Sequence, residues 1–273
     1  MISNSAAHQN TIKEVSILGC GWFGFALAKT LVAQGYQVKG STTTAAKLNL
    51  LSAENIKPYL VNFTAEHIDA EATFFEGDVL FICIPPKRNS SELNDYPKKI
   101  KLILNAAKGK TAQIVLISST SVYADENQSV NEETLTCPDT DSGRVVVAAE
   151  EILKEENTNH TIIRFAGLIG PDRNPGRFFA GKTNVPNGLA PVNLIHQKDA
   201  VGIAIRLLEK QAFGRIYHAC SPSHPTRMDF YTNAAKTSGL PEPEFIAEKE
   251  NWKIVESVCV PTLLEYKFEK NLL

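Results

Sequence analysis

Val15-Ser16-Ile17-Leu18-Gly19-Cys20-Gly21-Trp22-Phe23-Gly24 is an apolar β-type run that enters a G-x-G-x-x-G loop. A helix-compatible segment, Phe25 to Ala33, follows. Gln34-Gly35-Tyr36 then turns the chain into a second apolar run at Val38. Strand, glycine loop, helix and strand within about 30 residues is the context that gives this motif its meaning. Gly19 allows the tight turn, Gly21 lets the backbone approach a pyrophosphate, and Gly24 lets helix and strand pack closely. The free N–H groups and the positive dipole end of the helix then face two phosphates.

The same rhythm continues outward. Tyr59 to Asn62, Asp78 to Ile84, Ala112 to Ile117, Thr161 to Phe165 and Ile216 to Ala219 read as strands. Segments 47–53, 94–108, 144–156, 199–210 and 228–238 read as helices. Apolar strands without alternation, separated by helices, imply a parallel sheet covered on both faces. The fold class is therefore α/β, a Rossmann-type doubly wound parallel sheet. After Gly170 the texture turns to Pro, Gly and Asn, which reads as a small C-terminal cap on the substrate side of the sheet. We assign 13–170 and 190–220 to the core, 171–189 and 221–273 to the interleaved cap, and 1–12 to a flexible arm.

Bulk properties narrow the function. The chain has 273 residues and a formal net charge of −2 with mixed acids and bases, so it lacks the basic footprint of a nucleic-acid binder. No apolar run approaches the roughly 20 residues that span a bilayer, and the first dozen residues lack the apolar centre of a signal peptide. Cys20, Cys83, Cys137, Cys220 and Cys259 are scattered, which argues for a reducing cytoplasm and against a disulfide framework or zinc site. The histidines show no metal-ligand spacing, so no metal is expected. Hydrolase motifs are absent.

Three further segments carry a resemblance. Ser118-Ser119-Thr120-Ser121-Val122-Tyr123 looks like an S-S-x-x-V-Y-G segment with Ala124 in place of glycine. Arg164 to Pro171 looks like R-x-x-x-x-Y-G-P with Ile169 at the aromatic, and Asn193-Leu194-Ile195-His196-Gln197-Lys198-Asp199-Ala200-Val201 looks like an I-H-x-x-D-x-A segment. In this order they resemble the extended short-chain dehydrogenase/reductase superfamily, the NAD-dependent epimerase/dehydratase group, over about Val15 to Gly239. The resemblance implies a dinucleotide across the sheet, with Gly19, Gly21, Trp22, Phe23 and Gly24 around its pyrophosphate. It also implies that Ile84, Pro85, Pro86, Ser118 and Ser119 flank the nicotinamide. An acid at the end of the second strand would hold the ribose of NAD. Here stand Ser41, Thr42 and Thr43 with Lys47 behind, a hydroxyl and cation set that favours NADP over NAD.

The chain departs from this group at its chemistry. The Tyr-x-x-x-Lys pair that the resemblance implies falls on Ser142 and Val146. A serine hydroxyl is a far weaker acid than a phenol, and valine has no charge to tune it. The substitutes nearest the site are Ser119, at the Ser/Thr position, together with Ser142 and Arg144. An arginine fixes an anion but does not return a proton. Tyr266 and Lys270 share the spacing but lie at the C-terminus. His196, Arg173, Arg177 and Lys182 are secondary candidates. The function expected is an NAD(P)-dependent oxidoreductase or epimerase on a sugar or nucleotide-linked small molecule, with slow turnover. The alternative is a non-catalytic dinucleotide sensor. The resemblance suggests a homodimer through two helices on one sheet face, and no nucleic-acid or membrane partner is expected.

Overall fold

The computed structural model describes residues 12–87, 91–156 and 159–272. The arm expected over 1–12 lies outside the described residues except for Ile12, which packs against the core. The central sheet has seven strands: β1 (Glu14–Leu18), β2 (Gln37–Thr42), β3 (Lys57–Leu60), β4 (Gly77–Ile82), β5 (Thr111–Ser119), β6 (His160–Phe165) and β7 (Ile216–Ala219). Their order is β7-β6-β5-β4-β1-β2-β3, and every pairing is parallel. Ile17 pairs in register with Gly40 on one side and Phe81 on the other.

The helices are α1 (Trp22–Ala33), α2 (Leu48–Ala53), α3 (Tyr96–Ala107), α4 (Asp141–Glu155), α5 (Gln197–Lys210), α6 (Arg227–Thr237) and α7 (Cys259–Leu263). The two-residue side-chain period of a strand divides the core cleanly. Ile17, Phe81, Val115 and Ile163 face a layer holding Leu27 and Leu31 of α1 and Ile203 and Leu207 of α5. Their chain neighbours Leu18, Leu80, Leu116 and Ile162 face Ile100, Ile103 and Leu104 of α3 and Leu153 of α4. Each such side chain contributes about 1.5–3 kcal/mol on burial, and burial on both faces explains why the strands do not alternate in sequence. β1 leads to α1 on one face and β4 leads to α3 on the other. The chain therefore diverges at the C-terminal ends of β1 and β4, which opens a crevice there.

Beyond β6 a second, smaller core forms from Ile169, Val192, Leu194, Phe230, Tyr231 and Leu272, with Phe179 and Phe245 against it. α6 packs on the turn Pro175–Arg177, and a Cβ on Gly176 would lie 2.5 Å from the Ala234 carbonyl oxygen. The final stretch divides. Lys253–Val255 pairs in parallel with Gln128–Val130, and Val255, Val260 and Leu264 join the main core. The tail is tied down by the fully buried Asp199, which accepts from Tyr266 Oη (2.9 Å) and from the N–H groups of Glu269 (2.7 Å) and Lys270 (3.1 Å). Tyr266 is thus an anchor whose ionisation is opposed by burial and by the Asp199 carboxylate.

Candidate functional site

The glycine loop is held open from below. Gly19 has a φ of +98°, and its N–H donates to Ser41 Oγ (2.9 Å), while the Cys20 N–H donates to the Ser41 carbonyl (2.9 Å). Ser41 is buried at the end of β2 and fastens the loop to that strand. A Cβ on Gly24 would lie 2.2 Å from the Gly19 carbonyl oxygen, so the start of α1 sits directly on the turn. Gly21 differs: a Cβ there would meet no atom of the described residues within 4 Å, its chain neighbours aside. Among the described residues no side chain caps α1, and its first turn has no acid. Its uncapped N–H groups and dipole make an anion-binding end. Burial pushes the Cys20 thiol up to about 12, which makes it a packing residue.

This loop opens on a cleft of about 1060 Å³ at the divergence of the sheet, close to the upper end of small-molecule sites. Gly21, Trp22, Phe23, Gly24, Ile84, Pro85, Pro86, Ser118 and Ser119 all line it. Gly19 and Ser41 stand behind the lining. Thr42 is partly exposed, and Thr43, Thr44 and Lys47 are exposed at the end of β2. Val146 lines the cleft, but Ser142 and Arg144 do not. Arg144 is exposed on the outer side of α4, with Nη2 2.6 Å from Asp141 Oδ1. α4 begins only at Asp141, where Thr140 Oγ1 caps the Gly143 N–H, so Ser142 and Arg144 fall in its first turn. His196 caps α5 through Nδ1, which accepts from the Lys198 N–H (3.0 Å), and it too lies outside the cleft. Of the three cap cations, Arg173 lines the cleft, and Arg177 and Lys182 do not.

Sequence spacing missed several lining groups because they arrive from distant segments: Tyr96, Asp125, Arg227, Tyr231 and Lys253. Lys253 Nζ lies 2.6 Å from Asp125 Oδ1 and donates to the Tyr123 carbonyl (2.8 Å). The Tyr96 hydroxyl donates to the Ile84 carbonyl (3.1 Å). Burial raises the pKa of both Tyr96 and Tyr231. Ser119 Oγ accepts the Ser121 N–H (3.2 Å), which leaves its own hydrogen for the cleft. Ser121 Oγ is buried and meets no hydrogen-bond partner among the described residues.

Behind the cleft floor runs a buried polar network. Ser118 Oγ donates to Glu150 Oε1 (2.5 Å), and Glu150 receives Arg164 through Nε (3.0 Å) and Nη2 (2.6 Å). Arg164 also donates to the Tyr123 hydroxyl, which faces His218 Nε2 at 3.0 Å. His218 Nδ1 lies 3.0 Å from the Glu256 carbonyl, so Nδ1 carries the hydrogen of the neutral ring. Burial, aided by Arg164, lowers the His218 pKa against the opposing pull of Glu132 and Glu150. The folded state therefore resists a proton that the unfolded chain takes below about pH 6.5. This contribution to stability is fully present above the unfolded value and is lost as pH falls below about 6.5. Thermal midpoints across this window are expected to fall with pH, and less steeply in His218→Asn; equal slopes would refute this source.

Among the described residues no helix is long and apolar enough to cross a membrane, and no cluster of three His, Cys, Asp or Glu side chains could hold a metal. The family described as NADP oxidoreductase, coenzyme F420-dependent, matches over residues 14–120. Protein YeeZ of Escherichia coli strain K12 is 36% identical over 266 residues, covering 94% of this chain and 97% of its own. Among solved structures, the UDP-glucuronic acid 4-epimerase of Bacillus cereus in complex with NAD superposes with a TM-score of 0.77 at 19% identity, over 95% of this chain and 94% of the other. A short-chain dehydrogenase/reductase superfamily protein of Agrobacterium tumefaciens with bound NAD gives 0.77 at 15% identity, over 95% and 93%. The chain belongs to the YeeZ family, and its fold is the Rossmann-type fold of the NAD-dependent epimerases and short-chain dehydrogenase/reductases.

Proposed function

We propose that this chain binds a nicotinamide dinucleotide, NADP in preference to NAD, and uses it as an oxidoreductase or epimerase on a sugar or nucleotide-linked small molecule. Gly21 carries this reading. Among the described residues no packing contact requires a glycine there, and its φ of −82° is open to any residue. A bare backbone facing the cleft fits the close approach of a diphosphate. The uncapped α1 beside it supplies the donors. The Bacillus cereus epimerase and the NADP named for the matching family support the same class.

When bound, the nicotinamide gives or takes a hydride. The chain must orient the substrate and manage the accompanying proton. Ser119 Oγ, whose own hydrogen is free, offers a donor to a reacting oxygen at the end of β5. Tyr96 and Tyr231 hold their protons tightly, and the arginines do not release theirs. Lys253, held by Asp125, instead sets its Nζ ammonium on the cleft wall as a donor to an oxygen on which negative charge develops. This arrangement replaces a Tyr-x-x-x-Lys pair, since Val146 brings only methyl groups into the cleft. Loss of NADPH absorbance with a panel of aldehydes and ketones, and epimer formation from nucleotide-linked sugars followed by NMR, test the two halves of the reading. Turnover that falls about 100-fold or more in Lys253→Met supports it. Tight NADPH binding with no turnover on any member would favour the sensor, the reading that Val146 and the outlying Ser142 support.

The NADP preference rests on Lys47, which is exposed beside Thr43 and Thr44 and joins no ion pair among the described residues. Lys47→Glu is expected to weaken NADPH binding about 10- to 100-fold, the worth of one charge-assisted contact, with NADH affinity unchanged. An equal effect on both cofactors would contradict the assignment.

A further inference from the structure

Arg173 stands out among the cleft's cations. Its Cζ lies 4.3 Å from the centre of the Trp22 ring, and no carboxylate pairs with it among the described residues. Lys253, by comparison, is paired with Asp125, and Arg227 donates to the Pro186 carbonyl (3.1 Å). The guanidinium of Arg173 is therefore shelved on an aromatic face with its N–H groups available to the cleft. The shelf is itself fixed. Trp22 Nε1 donates to the Pro171 carbonyl (2.6 Å), and Gln197 Nε2 donates to the Trp22 carbonyl (2.8 Å). The segment that carries Arg173 is a closed turn. The Arg173 N–H donates to the Gly170 carbonyl (3.0 Å), and the Gly170 N–H donates back to Arg173 (3.3 Å). Gly170 has a φ of +144° and Asp172 one of +61°, so the turn is held in a conformation few sequences adopt.

Trp22 is also the first residue of α1. The cation thus stands over the same helix end whose uncapped N–H groups face the cleft. We propose that Arg173 closes over the diphosphate of the bound dinucleotide, so that glycine loop and cap hold the two phosphates from opposite sides. This rests on the dinucleotide reading above and adds to it a residue outside the glycine loop. A planar fork suits two phosphate oxygens at once, and its face suits the indole beneath it; a lysine ammonium matches neither requirement as well. The arrangement also makes the cofactor a brace between core and cap, because Trp22 belongs to the core and Arg173 to the cap.

The test is a calorimetric titration of wild type, Arg173→Ala and Arg173→Lys with NADPH, ADP-ribose and adenosine 2′-phosphate. ADP-ribose keeps the diphosphate and lacks the nicotinamide; adenosine 2′-phosphate lacks the diphosphate. Arg173→Ala is expected to weaken NADPH and ADP-ribose alike, by about 10- to 100-fold. Adenosine 2′-phosphate should bind both chains equally. Arg173→Lys should recover part of the loss, and the salt dependence of NADPH binding should become shallower in Arg173→Ala. Loss confined to NADPH would place Arg173 at the nicotinamide or substrate and overturn the proposal. So would an unchanged NADPH affinity, or an equal loss for all three ligands. A wild-type chain that bound none of the dinucleotides would instead overturn the reading on which the proposal rests.

Discussion

Gly21→Ala is expected to leave the thermal midpoint close to that of the wild-type chain while weakening NADPH binding about 10- to 100-fold. The two halves of this result have separate causes. The methyl group enters space where no atom of the described residues lies within 4 Å, its chain neighbours aside, so their packing does not oppose it. Alanine is a poorer N-cap than glycine, but it also restricts the unfolded chain, and these effects nearly cancel to within about 1 kcal/mol. A diphosphate drawn against the same backbone meets the methyl directly, and overpacking of this kind costs about 1–3 kcal/mol. Gly24→Ala is the contrast. Its methyl would lie 2.2 Å from the Gly19 carbonyl oxygen, a backbone atom that has no rotamer to escape into. That variant should lose stability as well as affinity. Thermal melts and titrations of the two variants side by side separate a glycine kept for a ligand from one kept for the fold. A Gly21→Ala chain that bound NADPH normally would show that the space serves no diphosphate.

The second large effect concerns stability. Glu150→Ala should lower stability by about 3–5 kcal/mol, because it strands the buried Arg164 guanidinium without a counter-charge. The thermal midpoint would fall by roughly 6 to 20 °C. Ser118 loses its acceptor in the same variant, so the cleft floor is disturbed too. Replacing both partners, as in Glu150→Leu with Arg164→Met, should recover much of the loss, since a buried pair is hardest to break from one side. Scanning calorimetry of the single and double variants measures this. A single variant as stable as the wild-type chain would mean that the network carries no net energy.

The sheet was legible because each of its apolar strands is buried on both faces and each crossover has a helical period. The glycine loop announced the divergence of the chain between β1 and β4, which is where the cleft lies. The polar network was not read, although its signal was present. Glu150 follows Val146 by four residues and precedes Leu153 by three on the buried face of α4, and Arg164 interrupts the run Ile162-Ile163-Phe165. A charge at a core position of a helix, matched by one inside an apolar strand, foretells a buried pair. Lys253 and Tyr96 left no such mark. Lys253 reaches the cleft through a three-residue strand that pairs with Gln128–Val130 across more than a hundred residues, and nothing local specifies that pairing. Ser41 showed the reverse difficulty. Its position at the end of β2 pointed to a phosphate, but its hydroxyl accepts the Gly19 N–H and holds the loop in place.

Calorimetric titration of the wild-type chain with NADPH decides whether the glycine loop holds a dinucleotide. A saturable heat at one dinucleotide per chain is expected, with a dissociation constant at or below about micromolar and a matching rise in the thermal midpoint. No heat and no thermal shift with millimolar NADPH, NADP, NADH or NAD would contradict it.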